Sequence, residues 1–549
     1  MYEDLDLDRV TDEYARACIA RLLNAVEELL ATTRALREEN QRLRDEVQRL
    51  KGEQGAPRIP GTTRKGPQPD YSSEGERRVP QPWTKALKRP RLQIDREQVL
   101  EVDPTTLPRD AQFKGYETVV VQDLLLRPDT VCFHKAKWYS PTTGQSYLAP
   151  VPVGYEGEFG PGIKALTLAW YFAGEMSEPK IRDVFASVGV QISAGQVSNL
   201  LIQHQEPFHT EALAVLAAGL RSSPWQHLDD TPTRVNGENH SCHVLCNPLY
   251  TAYQTTAAKD RPTVLDILQG GAPRRYLMNA AAETWLAATG VAQWVQRAVA
   301  RLPRDQVFTA ADLDALLARH LPTLGPQQTR WVHDALAVAA YHAQTDWPVV
   351  RLLVCDDAPQ WQGVTEALAL CWIHEGRHYK KLWPEIAAHR VLLDDLLTRF
   401  WAYYGELRAY REAPTGADRI RLATAFEDLF ATRTGYSALD DRLAKTRAKR
   451  DALLQVLAHP EVPLHNNPAE LGARRRVRKR DVSFGPRTPT GARAWDTFMT
   501  LVATTHKLGV SFYTYVRDRL TSAHQVPGLD ALITARAPAL QLDRSWQPG

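Results

Sequence analysis

The chain of 549 residues is too long for a single core and, at about 150 residues per domain, is predicted to form three to four folding units. Its hydrophobic fraction of 44% suits a protein with sizeable cores, and no apolar run approaches the roughly 18 residues that a bilayer span needs. The acidic N-terminus lacks the features of a signal peptide, and six scattered cysteines do not favour a disulfide scaffold. These features argue against a membrane protein and predict a cytoplasmic location.

The net charge of +3 (67 Lys and Arg against 64 Asp and Glu) says little about partners, but the distribution of charge says more. From Lys51 to Asp95 there are ten basic residues against five acidic ones, and from Leu471 to Arg493 there are eight against one. Two basic stretches in a nearly neutral chain predict contacts with a polyanion, although each stretch alone also fits a solvated surface.

The first 50 residues contain the clearest periodic pattern, an a/d heptad register with Leu at every d position and Val, Thr, Asn and Val at the a positions. β-Branched residues at a with Leu at d favour a parallel two-stranded coiled coil, and a single Asn at a sets its register. We therefore predict a coiled-coil dimerisation helix over residues 1–52; a long helix that packs on its own chain is the alternative. The heptad positions are Leu22, Val26, Leu29, Thr33, Leu36, Asn40, Leu43, Val47 and Leu50.

The next region has no helical periodicity. Residues 53–92 contain seven prolines and alternating basic residues, which predicts a basic, Pro-rich linker over residues 53–98. Strand-like segments at 116–126, 131–139 and 145–153, separated by turn residues, predict a small β module within residues 99–158.

Residues 159–222 are predicted to be helical and to include a helix-turn-helix-like pair of short helices. Ser177 and Ser193 are expected to cap the two helices, with a turn after Gly189 between them. Such a pair can place its second helix against DNA, but similar pairs are common in proteins that never touch DNA. The residues expected to be exposed on the second helix are Gln196, Ser198, Asn199 and Gln203.

Residues 223–500 combine strands and helices in an order that suggests one mixed domain. Three antiparallel strands, with a hairpin turn at Asn236-Gly237, precede a short helix, two further strands and a late helix. This is the order of a ribonuclease H-like fold. Helical insertions are predicted at 271–346 and 377–463, and a C-terminal helical segment at 501–549.

Three acidic residues occupy positions from which their side chains can converge in one pocket. Asp229 is expected at the end of an apolar strand, Asp356 directly after a buried strand, and Glu470 near the start of a helix. Oxygen ligands of this kind suit Mg²⁺ or Mn²⁺, and two such ions about 4 Å apart can support an in-line phosphoryl displacement. By pattern alone, the same acids also fit turn or cap residues.

Several segments resemble the insertion-sequence sixty-six family of bacterial DDE transposases, and together they cover most of the chain. The segments around the three acidic positions are HLDDTPTRVNG, then CDDAPQW followed by CWIHEGRHYKKLW, and finally HNNPAELGARRRVRKRDVSFG. The C-terminal TTHKLGVSFYTYVRDRL is also similar to the family. The chain departs from the better-known branch because the paired-cysteine zinc motif of the N-terminal half is missing and because a helical insertion precedes the fourth strand.

The resemblance implies a multidomain α+β and α/β protein whose catalytic, metal-binding triad is Asp229, Asp356 and Glu470, holding two Mg²⁺ (or Mn²⁺) ions. Asp230 and Asp357 are adjacent acids, so either could replace its neighbour in the triad.

Other residues are implied to support the site. Cys371 and His374 match a C-x-x-H element, and no zinc site is predicted because two further ligands at useful spacing are missing. Arg377 is expected to meet a phosphate, while Asn466 and Asn467 either orient the helix that carries Glu470 or bind DNA. The residues implied to bind DNA are Arg474, Arg475, Arg476, Arg478, Lys479, Arg480, Gln196, Ser198 and Asn199.

The implied activity is metal-dependent cutting of the ends of a mobile element and joining of its 3′-hydroxyls to target DNA. The implied partners are double-stranded DNA (element ends and target) and small accessory proteins, and the chain is expected to form a homodimer or higher oligomer through the coil. The implied location is the cytoplasm, in association with the nucleoid, and no membrane partner is expected. Two alternatives stay open. One is a catalytically inactive, transposase-derived DNA-binding protein, and the other is a ribonuclease H-like nuclease that cuts without joining.

Overall fold

The structure, a computed structural model, describes residues 10–50, 93–124 and 126–547. It begins with one long helix, α1 (Glu13–Leu50), which covers the predicted heptads. Most of the predicted linker, up to residue 92, and the ends of the predicted coil segment lie outside the described residues.

Within the described part of residues 99–158, the predicted β module is a single hairpin. Strand β1 (Lys137–Ser140) pairs antiparallel with β2 (Gln145–Leu148). The described part of the predicted strand at 116–126 is not a strand, and its Val119 and Val121 are exposed. Strand propensity there was misleading, because β-branched residues form a stable strand only where a neighbouring strand pairs with them.

A helical block follows, and a helix pair with a glycine turn lies within it as predicted. Ser193 caps the second helix of the pair by accepting a hydrogen bond from the backbone N–H of Gln196, and Gly189 has a positive φ of 86° in the turn. The helices are α2 (Pro161–Leu168), α3 (Glu178–Ser187), α4 (Ala194–Ile202) and α5 (Glu206–Arg221).

A five-stranded mixed sheet forms the centre of the protein. Its order is β5-β4-β3-β8-β9, in which β3, β4 and β5 are antiparallel neighbours and β8 and β9 run parallel to β3. The hairpin between β3 and β4 turns at Asn236-Gly237, where both residues have positive φ, as that dipeptide predicts. The further strands are β3 (Trp225–Val235), β4 (Glu238–Asn247), β5 (Tyr250–Thr256), β6 (Tyr276–Leu277), β7 (Val307–Phe308), β8 (Leu352–Cys355) and β9 (Ala367–Leu370).

Helices fill the sequence between and after these strands. The predicted insertion at 271–346 is mainly helical, and it also contains the small antiparallel pair of β6 and β7, which the sequence did not predict. The helices from β5 to β8 are α6 (Arg261–Leu268), α7 (Ala280–Ala288), α8 (Gln293–Val299), α9 (Ala310–His320) and α10 (Pro326–Ala343). Those from β9 onward are α11 (Trp372–Lys380), α12 (Ala387–Glu412), α13 (Gly416–Phe430), α14 (Ser437–Ala448), α15 (Arg450–Leu453), α16 (Gln455–Ala458), α17 (Asn467–Ser483), α18 (Pro489–Lys507), α19 (Phe512–Leu520) and α20 (Leu529–Leu540).

Helix α18 acts as a partner for the edge strand β5. Asp496, Thr500 and Thr504 accept hydrogen bonds from the backbone N–H groups of Thr255, Tyr253 and Thr251, at 2.6, 3.0 and 3.3 Å. Four helical residues rise about 6 Å and two strand residues rise about 6.7 Å, so the two rows stay in step. The predicted domain boundary between residues 500 and 501 therefore falls inside one helix.

The N-terminal helix uses one face to contact its own chain. Glu27 is buried and accepts hydrogen bonds from the backbone N–H of Ile386 and from Nδ1 of His389, both at 3.0 Å, at the start of α12. A carboxylate suits this place because the N-terminus of a helix carries unpaired N–H groups and a partial positive charge. Although it lies between heptad positions of α1, the charged Glu27 is therefore buried against its own chain.

The heptad positions lie on another face of α1. Leu22, Leu29 and Leu36 are 66%, 67% and 65% exposed. Across the described residues, no helix combines the length and hydropathy that crossing a bilayer requires.

The contact between α18 and β5 can be tested with Thr500→Val. The substitution leaves the buried N–H of Tyr253 without an acceptor, which we expect to cost about 1–3 kcal/mol of stability. Hydrogen exchange measured by mass spectrometry should accelerate in the peptide that contains β5. Thr534→Val, at an exposed position of α20, is the matched control and should leave this peptide unchanged. Equal exchange in both variants would contradict the role of Thr500.

Candidate active site

Two predicted acids meet where β3 and β8 run side by side. The parallel register pairs Trp225 with Leu352, so Asp229 and Asp356 each lie four residues further along neighbouring strands. Adjacent strands are about 4.8 Å apart, which brings these two positions to the same level of the sheet. Asp356 directly follows β8, as predicted, but Asp229 does not end its strand, because β3 continues in antiparallel pairing with β4.

Alternation along β3 separates Asp229 from Asp230. His227 lies on the same face as Asp229, and its Nδ1 is 3.0 Å from Oδ1 of Asn466, at the start of α17. Asp230 points to the opposite face, where Nε2 of Gln360 donates to it at 2.9 Å. Asp229 is therefore the acid on the side of the sheet that carries α17.

The two acids of the second adjacent pair, Asp356 and Asp357, make different contacts. Oδ1 of Asp356 accepts a 2.6 Å hydrogen bond from Nε1 of the buried Trp361. Asp357 is exposed and forms an ion pair with Lys449 at 2.5 Å. Trp361 thus fixes the side chain of Asp356, whereas the side chain of Asp357 is engaged in an ion pair with Lys449.

The third acid, Glu470, lies in the first turn of α17, as predicted. Asn466 fixes that turn: it is fully buried, its Nδ2 donates to the Leu228 carbonyl at 2.8 Å, and its backbone N–H donates to Sγ of Cys371 at 3.3 Å. Asn466 is therefore placed to orient the helix, and its burial disfavours the alternative prediction of a DNA contact. Asn467 begins α17 and is half-buried, and its role stays a prediction.

Close approach of α17 to the sheet depends on a glycine. A Cβ placed on Gly472 would lie 2.6 Å from Cγ1 of Val244 in β4, which is too close for any side chain. Gly472 lets Glu470 approach β3 from above the sheet.

Electrostatics couples the three carboxyl groups. Burial, and then the nearby charge of Asp356, raises the pKa of Asp229 to about 7; the charge of Glu470 acts in the same direction. Burial lowers the pKa of His227 to about 3, so this histidine is a neutral hydrogen-bonding group beside the site. Sequence reasoning missed His227, although its place two residues before Asp229 in an apolar strand could have indicated it.

Helix α11 brings two of the predicted supporting residues to Glu470. Nη2 of Arg377 donates to Oε2 of Glu470 at 3.3 Å, and its Nη1 donates to Nε2 of His374 at 3.1 Å. Nδ1 of His374 lies 3.6 Å from Oε1 of Glu470. These contacts place both side chains at the carboxylate, and Arg377 is half-exposed beside it.

The basic run on α17 divides into buried and exposed residues. Arg476 and Lys479 are each 1% exposed, which disfavours the prediction that they bind DNA. Arg476 pairs with Asp496 at 3.2 Å, and the ammonium of Lys479 lies 3.2 Å from the centre of the Tyr171 ring, where burial lowers its pKa to about 7. Both residues face inward because helix positions three apart share a face.

The other four basic residues of the run reach solvent to different degrees. Arg474 and Arg478 are exposed. Arg475 lies 3.7 Å from Glu175, and Arg480 donates to the Pro232 carbonyl at 2.7 Å.

In the helix-turn-helix-like pair, Asn199 is exposed as expected. Gln196 and Ser198 are only half-exposed, and Gln196 donates to Oε2 of Glu158 at 3.2 Å. The expectation of a fully exposed polar row is therefore wrong for these two residues.

Comparisons with known proteins agree with the resemblance seen in the sequence. A family model described as "Transposase IS66 family" matches residues 156–280, a range that contains Asp229 and ends before β8. An uncharacterized protein, y4jO, of Sinorhizobium fredii (strain NBRC 101917 / NGR234) is 30% identical over 327 residues, which is 59% of this chain and 100% of that protein.

The raised pKa of Asp229 predicts a dependence of stability on pH. Between about pH 4 and pH 7 the folded chain holds a proton on Asp229 that the unfolded chain releases, so raising the pH lowers the free energy of unfolding. Asp229→Asn removes this penalty, so at pH 8 the free energy of unfolding of the variant should exceed that of the wild type by about 2–4 kcal/mol. Denaturant unfolding at pH 4 is the internal control, where the two proteins should agree. An equal difference at both pH values would contradict the prediction.

Proposed function

Because the chain belongs to the IS66 family of transposases, we propose that it cuts the ends of a mobile DNA element and joins the freed 3′-hydroxyls to target DNA. The observation that carries this proposal is the electrostatic coupling of Asp229 to Asp356 and Glu470, three carboxylates from elements far apart in sequence. A sheet in the order β5-β4-β3-β8-β9, with acids on β3 and after β8, supports a ribonuclease H-like catalytic domain.

The donor set suits hard cations. The buried negative charge that raises the pKa of Asp229 favours a nearby cation, and carboxylate oxygens are ligands that Mg²⁺ and Mn²⁺ prefer. Asp229, Asp356 and Glu470 would hold two such ions, which when bound activate an attacking oxygen and stabilise a leaving oxygen.

The protein's own side chains position this chemistry. Trp361 orients Asp356, and Asn466 fixes the helix that presents Glu470. Arg377 is half-exposed at Glu470 and is placed to meet a phosphate of the bound strand.

The path of the DNA follows α17. Arg474 and Arg478 lie four and eight residues after Glu470, so the three side chains form a slowly turning row with steps of about 6 Å along the helix. Both arginines are exposed, and phosphate contacts of this kind fix the position of DNA without reading its sequence. Asn199 on α4 is a further exposed candidate for a DNA contact.

The heptad face of α1 is proposed to pair with a second copy of the chain. Its leucines are exposed while a different face of the same helix contacts α12 through Glu27, so both contacts can exist together. Two paired protomers suit an enzyme that joins two DNA ends, and small accessory proteins are a further proposed class of partner.

The catalytic proposal predicts the behaviour of three variants. Asp229→Ala, Asp356→Ala and Glu470→Ala should each reduce Mn²⁺-dependent cleavage of DNA carrying the element's ends by about 100-fold or more, since each removes a ligand worth several kcal/mol in the transition state. DNA binding, measured by mobility shift, should persist. Asp230→Asn and Asp357→Asn are matched controls that should keep cleavage within about tenfold of the wild type.

The reaction products separate the remaining alternatives. Joined molecules support a transposase, nicks without joining indicate a nuclease, and binding without any cleavage indicates an inactive derivative. Undiminished cutting by one of the three alanine variants would remove that residue from the triad.

The dimer proposal predicts that Leu29→Lys combined with Leu36→Lys weakens self-association. Each buried leucine contributes about 1.5–3 kcal/mol, so the dissociation constant should rise at least about 100-fold. Analytical ultracentrifugation measures the change. Ala35→Lys, the control, adds one lysine at an exposed position outside the heptad face and should leave the oligomer intact. Unchanged mass in the double variant would reject the coil as the interface.

A further inference from the structure

A set of side chains that could hold a metal ion shares one residue with the proposed triad. Within the part of the chain that the structure describes, one set of three His, Cys, Asp or Glu residues has ligand atoms that all lie within 4.8 Å of one another. The set is Cys371, His374 and Glu470. Asp229 and Asp356 do not belong to it.

The sequence could not reveal this set, because its third ligand comes from a different helix. Cys371 is the N-cap of α11 and His374 lies in the first turn of that helix. Glu470, almost 100 residues later, lies in the first turn of α17. The C-x-x-H spacing alone supplied two ligands, and folding adds a carboxylate.

The two facing polar atoms in this cluster have no hydrogen-bond partner. Nδ1 of His374 and Oε1 of Glu470 are both buried from solvent and neither accept nor donate a hydrogen bond; they lie 3.6 Å from each other, which is an ion pair only when the imidazole is protonated. Buried polar atoms usually have partners, and an ion that both atoms bind is one explanation for such a pair.

Backbone N–H groups surround the sulfur of Cys371. Burial raises the pKa of this thiol to about 11, while hydrogen bonds from the backbone N–H groups of His374, Asn466 and Ile373 act in the opposite direction. Hydrogen bonds from outside the coordination shell hold metal ligands in position, and Asn466 supplies one of them from a fixed turn.

We propose that Cys371, His374 and Glu470 form a site for Zn²⁺. A thiolate, an imidazole and a carboxylate are all zinc ligands, and three protein ligands leave a fourth position for water. Binding releases the thiol proton of Cys371 to solvent. This site is distinct in chemistry from the all-carboxylate site and shares Glu470 with it.

Sharing of Glu470 gives the zinc site a regulatory consequence, which rests on the proposed function. A carboxylate held by Zn²⁺ is withdrawn from the Asp229 and Asp356 side, so zinc should inhibit Mn²⁺-dependent cleavage. Arg377 is expected to weaken zinc binding, because it donates hydrogen bonds to both His374 and Glu470.

Binding can be measured without DNA by titrating the full-length protein with Co²⁺ as a spectroscopic probe for zinc. We expect about one equivalent per chain, a thiolate-to-cobalt charge-transfer band, and displacement of the band by Zn²⁺. Cys371→Ser should abolish the band, and His374→Ala should weaken binding at least about tenfold. Cys132→Ser is the matched control, because Cys132 is exposed and its sulfur lies 3.9 Å from Nε2 of His134.

A second variant guards against misfolding of the cysteine variant. Arg377→Ala changes a half-exposed side chain, removes the competing cation and should tighten Co²⁺ binding. A band that survives in Cys371→Ser, that vanishes in Cys132→Ser, or that weakens in Arg377→Ala would overturn the site. Cobalt binding by a protein that does not cleave DNA in Mn²⁺ even when cobalt and zinc are left out would uphold the site and refute the transposase, whereas Mn²⁺-dependent cleavage by a protein that binds no cobalt would do the reverse.

Discussion

The buried amide of Asn466 is the interaction on which the arrangement of the site depends. It joins the carbonyl of Leu228 in β3 and the ring of His227 to the turn that starts α17, and its backbone N–H reaches the sulfur of Cys371 at the start of α11. Three elements that are far apart in sequence therefore share one polar node. Glu470 has its position because its own N–H bonds to the carbonyl of Asn466.

The sheet explains how acids from separate segments come together without any local signal. Parallel pairing of β3 with β8 sets Asp229 and Asp356 at one level, and alternation along β3 sends Asp230 to the other face. Burial and the charges of the neighbouring carboxylates destabilise the ionised form of Asp229, which raises its pKa. Strongly shifted pKa values cluster at functional sites, where like charges are held close together.

Local patterns predicted the local features of this protein well. The long N-terminal helix, the Asn236-Gly237 hairpin, the cap at Ser193 and the helix start before Glu470 all follow from short-range rules. Features that depend on distant partners could not be predicted. Arg476 is buried because Asp496 lies on a later helix, and Glu27 is buried because the start of α12, over 350 residues away, offers it donors. Among the described residues, Val119 and Val121 have no neighbouring strand to pair with, so their high strand propensity does not produce a strand.

The row of oxygens that α18 presents to β5 has a consequence for how this protein meets others. An edge strand normally offers its free N–H groups as a template, onto which another chain can add by backbone pairing. Here side chains of Asp496, Thr500 and Thr504 already occupy those donors, so this margin of the sheet is closed to strand addition and to fibril-like stacking.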